Sequence, residues 1–110
     1  MKWFRVSGIK DINEPFIVKS NVVSYPVCVV GYNGSIFAVS AVCPHQGFDL
    51  SSGWCENNKI ICPLHGYAFD LKTGRGPNDY LKTFPVKIDG DEVFVGIKTV
   101  WDDIKGLFTK

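Results

Sequence analysis

Histidine and methionine are scarce in this chain: 110 residues hold two of the first and one of the second. Any imidazole chemistry must therefore run through His45 or His65. Long apolar runs are missing too. None approaches the roughly 18 residues that a membrane-spanning helix needs, so no membrane association is expected. The first residues, Met1-Lys2-Trp3-Phe4-Arg5, contain neither an apolar signal region of roughly 7–15 residues nor a twin arginine. A cytoplasmic location is the expectation. An excess of positive charge is absent as well, with 12 Lys and Arg against 11 Asp and Glu. That balance argues against a nucleic-acid partner, which would call for a basic face. Internal repeats, low-complexity tracts and interdomain linkers are not seen, and the length suits one domain.

Hydrophobic residues make up 45% of the chain and charged residues 21%, the balance of a globular protein. The apolar residues come in short runs without helical periodicity. Strands are read over Trp3–Ile9, Phe16–Lys19, Val27–Tyr32, Ile36–Val42 and Lys59–Ile61. Asn33-Gly34 joins two of them in a dipeptide that readily takes the positive φ of a tight hairpin. Asp49–Gly53 and Trp54–Asn58 read as one polar connection. Tyr80, Lys82, Phe84, Val86 and Ile88 are expected to share one face of a single alternating strand. Asp89-Gly90-Asp91 then turns the chain into a return strand with Val93, Val95 and Ile97 on a common face. The fold class is all-β: an antiparallel sandwich or barrel of about eight to ten short strands. The domain is taken as 1–100. Residues 101–110 form a tail in which Trp101, Ile104 and Phe108 fall at helical spacing, the pattern of a short packed helix.

Four cysteines in so short a chain could suggest a disulfide scaffold. Against this stands the placement of two of them. Cys43-Pro44-His45 is followed, after sixteen residues, by Cys62-Pro63-Leu64-His65, and both histidines of the chain fall inside the pattern. Cys28, in Val27-Cys28-Val29-Val30, and Cys55 read as structural thiols. A mononuclear zinc ion would accept any sharing of two Cys and two His between loops. Two irons bridged by sulfide explain the mixed pairs better: one iron takes a Cys from each loop, the other a His from each. A zinc-binding interaction module stays as the remote alternative.

The motif C-x-H-x16-C-x2-H resembles that of Rieske proteins, in which two His replace two Cys on one iron of a [2Fe–2S] cluster. Pro44 and Pro63 after each Cys, Gly47 and Gly66 after each His, and the turn Phe69-Asp70-Leu71-Lys72-Thr73-Gly74 support the resemblance, which covers roughly Trp3 to Ile97. It implies that Cys43, His45, Cys62 and His65 hold one [2Fe–2S] cluster, in loops spanning about 42–78. Gly47 and Gly66 would let backbone N–H groups approach the sulfurs. Pro77 is the candidate for a third loop covering the cluster.

Departures from the family pattern narrow the class. Respiratory and photosynthetic members join their ligand loops by a disulfide; the matching positions here are Phe48 and Leu64. Those members also direct a Ser and a Tyr hydroxyl at the sulfurs, where this chain has Tyr67 and Phe69. Fewer donors stabilise the reduced state less, so a low potential is expected. Neither an anchor helix nor a catalytic oxygenase domain is expected with the motif, and no catalytic residue is assigned. The resemblance is therefore to the ferredoxins of bacterial ring-hydroxylating oxygenase systems. It implies a monomeric, non-enzymatic carrier that takes electrons from an NAD(P)H-dependent flavoprotein reductase and passes them to a terminal Rieske oxygenase. The small subunit of an assimilatory nitrite reductase is the alternative. Phe48 and Leu64 are candidate partner contacts.

Overall fold

The computed structural model describes residues 1–44, 47–64 and 66–98. The tail expected at 101–110 lies outside the described residues. Ten strands are present among them: β1 (Lys2–Val6), β2 (Phe16–Val22), β3 (Tyr25–Tyr32), β4 (Ser35–Ser40), β5 (Trp54–Glu56), β6 (Lys59–Ile61), β7 (Ala68–Asp70), β8 (Thr83–Phe84), β9 (Val86–Asp89) and β10 (Glu92–Ile97). They form three antiparallel sheets, ordered β1-β10-β9, β2-β3-β4-β8 and β5-β6-β7.

The four-stranded sheet is the middle layer, and β3 shows why. Successive side chains of a strand point to opposite faces. Val27 and Val29 enter a core with Val93, Val95 and Ile97 of β10, whereas Cys28 and Val30 enter a second core with Ile60 and Phe69 of β6 and β7. A strand covered on both faces reads as a continuous apolar run, as Val27–Val30 does. The same partition splits β4, with Ala38 on one side and Val39 on the other.

Turn chemistry sets the registers. Asn33 and Gly34 both take positive φ, 54° and 80°, between the paired residues Tyr32 and Ser35. That is the mark of a type I′ hairpin. Asn57 and Asn58, at 50° and 62°, do the same between Glu56 and Lys59.

Three expectations need correction. Trp3–Ile9 is strand only to Val6. Asp49–Asn58 is not one polar connection: Leu50–Ser52 is a 3₁₀ turn that buries Leu50 completely, and Trp54–Glu56 is a strand paired with Lys59–Ile61. Tyr80–Ile88 is not one strand. Pro85 separates β8, which pairs with β4, from β9, which pairs with β10, so the chain changes sheets there. Proline offers no N–H to a ladder, and alternation alone does not reveal which sheet a residue joins. The common face of Val93, Val95 and Ile97 is buried, as the return strand requires.

Cys28 is fully buried, and desolvation pushes its thiol up to about 12. A raised value favours the neutral thiol in the folded chain. The resulting stabilisation is whole below the ordinary thiol value of 9.0 and is lost as pH rises through about 12. Iodoacetamide at pH 8 is therefore expected to leave Cys28 unmodified in the folded protein and to label it fully in urea, read by peptide mass. Labelling of Cys28 without denaturant would contradict this burial.

Candidate metal centre

Both candidate ligand loops are built alike. Loop 1 runs from Cys43 to Phe48, and the Cys43 N–H donates to the Phe48 carbonyl at 2.8 Å. Loop 2 runs from Cys62 to Tyr67, and the Cys62 N–H donates to the Tyr67 carbonyl at 2.7 Å. Each loop thus closes over the same number of residues, beginning at Cys-Pro and turning at a glycine. Gly47 and Gly66 have φ of 70° and 67°. Among the described residues, a Cβ on either would meet no other atom within 4 Å, so it is the left-handed backbone that calls for glycine.

The supports differ. Loop 2 is carried between β6 and β7, whose ladder continues up to Ile61 and Ala68. Loop 1 leaves β4 through Ala41, and Leu50 N–H donates to the Ala41 carbonyl at 2.8 Å. Val42 bridges Asp49, so the ladder resumes for one step at the base of the loop. The Asp49 carboxylate caps the 3₁₀ turn, accepting from Ser51 N–H at 2.9 Å and from Ser51 Oγ at 2.7 Å. Its other oxygen meets Lys19 Nζ of β2 at 2.8 Å. The Lys19 hydrogen bond, followed by the two from Ser51, holds the Asp49 carboxyl down at about 2.

The loops bring Cys43 and Cys62 together. Each is 1% exposed, in the core that includes Leu50, Ile60, Phe69 and Leu71. Their thiols are neighbours in that core and act on each other's titration. Burial raises the Cys62 thiol, while the Leu64 N–H donates to its sulfur and works the other way. A backbone N–H aimed at a buried sulfur favours the thiolate, the form that binds metal. Two soft donors from separate loops, in contact and shielded from water, fit an iron–sulfur cluster. His45 and His65 lie outside the described residues.

Of the other residues singled out from the sequence, Phe69, Tyr67 and Leu64 pack in the core of these thiols. Phe69 is fully buried and forms part of the floor. Tyr67 and Leu64 are half-buried against the same core. Phe48 is 37% exposed, and Val42, at the base of its loop, is 42% exposed. Pro77 is exposed and lines a groove with Lys59, Ala68 and Asp70. Asp70 accepts from the N–H groups of Lys72 and Thr73 at 2.8 and 2.9 Å, which fixes the turn after β7. The contribution of Asp49 went unread in the sequence. Asp49-Leu50-Ser51 carries the signal of a capping turn, an Asp two residues before the N–H it accepts. Its partner Lys19 carries no local signal.

Residues 2–85 match the model of the Rieske [2Fe-2S] domain. The chain belongs to the Rieske [2Fe–2S] family. Its cofactor is one Rieske-type [2Fe–2S] cluster, which displaces the zinc reading. A curated relative, the ferredoxin component of a naphthalene 1,2-dioxygenase system from Pseudomonas aeruginosa, is 31% identical over 100 residues, covering 87% of this chain and 96% of the relative. Among solved structures, the ferredoxin in a complex of reduced oxygenase and oxidized ferredoxin in carbazole 1,9a-dioxygenase superposes with a TM-score of 0.75 at 28% identity, over 84% of this chain and all of that one. A putative NADH-dependent nitrite reductase small subunit from Mycobacterium tuberculosis reaches a TM-score of 0.77 at 18% identity, over 90% of this chain and 97% of its own. That last likeness is one of fold alone. This Rieske protein is an electron carrier of the ferredoxin kind, not itself a catalyst. Among the described residues, no helix is long and apolar enough to cross a membrane.

Proposed function

We propose that Cys43, His45, Cys62 and His65 hold the cluster, and that the chain serves a multicomponent oxygenase as its ferredoxin. The observation that carries this reading is the meeting of two buried thiols, Cys43 and Cys62, at the ends of two identically closed loops. When bound, the cluster stores and releases one electron. The chain's own part is to bury the cysteine side, to supply the Leu64 N–H to the Cys62 sulfur, and to offer an apolar rim to partners.

That rim is Phe48 and Val42, both partly exposed, with Leu64 half-buried on the facing loop. Small, transient interfaces of this kind suit a carrier that must visit two proteins in turn. The partners are an NAD(P)H-dependent flavoprotein reductase and a terminal oxygenase, with the ferredoxin acting as a soluble cytoplasmic monomer. The solved ferredoxin–oxygenase complex of a relative supports the second partner.

Phe69 carries no hydroxyl, so it cannot donate to a sulfur. The midpoint potential is expected at the low end of the Rieske range, roughly −150 mV. The test is a redox titration followed by electron paramagnetic resonance of the dithionite-reduced protein, with iron and sulfide counts. A midpoint above zero would overturn the low-potential assignment. Rapid reduction by a flavoprotein reductase, measured by stopped flow, is the expected sign of the pathway.

A further inference from the structure

Loop 1 has a shorter ladder at its base than loop 2, a one-step bridge from Val42 to Asp49. Loop 2 sits between two strands that pair up to its base, whereas the return limb of loop 1 is a 3₁₀ turn. Backbone bonds and the buried Leu50 tie that limb to the β3–β4 side of the middle sheet, and one long-range side-chain contact ties it to β2. Lys19 Nζ, from β2, reaches Asp49 Oδ2 at 2.8 Å across 30 residues of sequence. Asp49 is well placed to transmit the tie. Its backbone bridges Val42, the residue before Cys43, and its Oδ1 holds Ser51. One residue thus joins both limbs of the loop to β2, the edge strand of the middle sheet.

We propose that Lys19 is a positioning residue for loop 1, acting through Asp49 to fix the loop that carries Cys43 and His45. The pair has a second consequence. A lone Asp49 carboxylate at the base of the loop would put an unopposed negative charge near a centre that gains negative charge on reduction. Lys19 cancels it. The tie therefore sets both the position of the loop and the local charge, and the two effects separate by sign.

The test compares Lys19→Met, Lys19→Arg and Asp49→Asn in the cluster-loaded protein. Both Lys19→Met and Asp49→Asn remove the tie, so hydrogen exchange in peptides carrying Gly47–Gly53 is expected to quicken about twofold to fivefold, the range of an exposed ion pair. Peptides carrying Ile60–Cys62 and Tyr67–Phe69 should not change. The midpoint potential should fall in Lys19→Met, which leaves the carboxylate, and rise in Asp49→Asn, which leaves the ammonium. Lys19→Arg should restore both readouts. The proposal fails if loop 1 exchange is unchanged in Lys19→Met, if both loops quicken equally, if arginine does not rescue, or if the two potentials move the same way. It rests on the ligand assignment of loop 1, yet the exchange arm does not depend on ligation. Failure of that assignment shows separately, as retained iron in Cys43→Ser.

Discussion

Cys62→Ser is expected to strip the protein of its cluster, with iron and sulfide per chain falling by well over about tenfold. Even residues that only orient a metal ligand are worth about 10–100-fold in metal affinity, and a direct ligand is worth more. The serine oxygen is a hard donor that holds its proton at neutral pH, whereas iron–sulfur centres select soft thiolates. Cys62 cannot be replaced by a water from solvent either, since it is 1% exposed and lies in the core that also holds Cys43. Cys43→Ser should behave the same way. Cys28→Ala and Cys55→Ser are the controls and should keep a full complement of iron, because these free cysteines lie outside the two loops. Metal analysis of the four purified variants, with circular dichroism to confirm folding, gives the answer. Iron retained at the wild-type level in Cys62→Ser would remove the residue from the ligand set.

Phe69→Ala is expected to cost about 3–5 kcal/mol, the range for deleting a buried aromatic side chain. Among the described residues Phe69 is the largest fully buried side chain, and it belongs to the core that the two cysteines share. Its ring also lies where a side chain on Gly76 would have to go, so the turn after β7 closes directly on it. Total stabilities run to about 5–15 kcal/mol, so the loss is a large fraction of the whole. For a domain of this size it should lower the thermal midpoint by more than about 12 °C at fixed scan rate. Because the ring supports the β6–β7 hairpin, the cluster absorbance should bleach at the same lowered temperature. A midpoint within about 4 °C of wild type would show that the core refills the space.

The two variants touch the same small region, and they mark how far local sequence could be read. The ligand motif is local: each Cys lies two or three residues from a His, and each is followed by proline. Turn chemistry is local as well, so Asn33-Gly34 gave away its hairpin before the pairing of Tyr32 with Ser35 was known. Burial on both faces of β3 was readable from Val27–Val30, because an unbroken apolar run in a strand leaves no face for water. The exchange of partners at Pro85 was not readable. Tyr80 is 71% exposed and Ile88 49%, although alternation put both on the face of Phe84, which is buried. Alternation reports side-chain direction, not which sheet lies opposite. Leu50 was hidden for the same reason. Its polar neighbours suggested a surface link, yet a 3₁₀ turn folds it into the core.

The sequence by itself determined the family and the cofactor, and it singled out Cys43 and Cys62 from the other cysteines, because metal chemistry restricts residue type and spacing within a few positions. Tertiary structure alone decided that Cys43 and Cys62 meet, that Phe69 lies beneath them, and that Lys19 of β2 holds Asp49 at the base of loop 1. Those contacts join residues far apart in the chain. They depend on sheet order and on how three layers stack, and no local pattern encodes either.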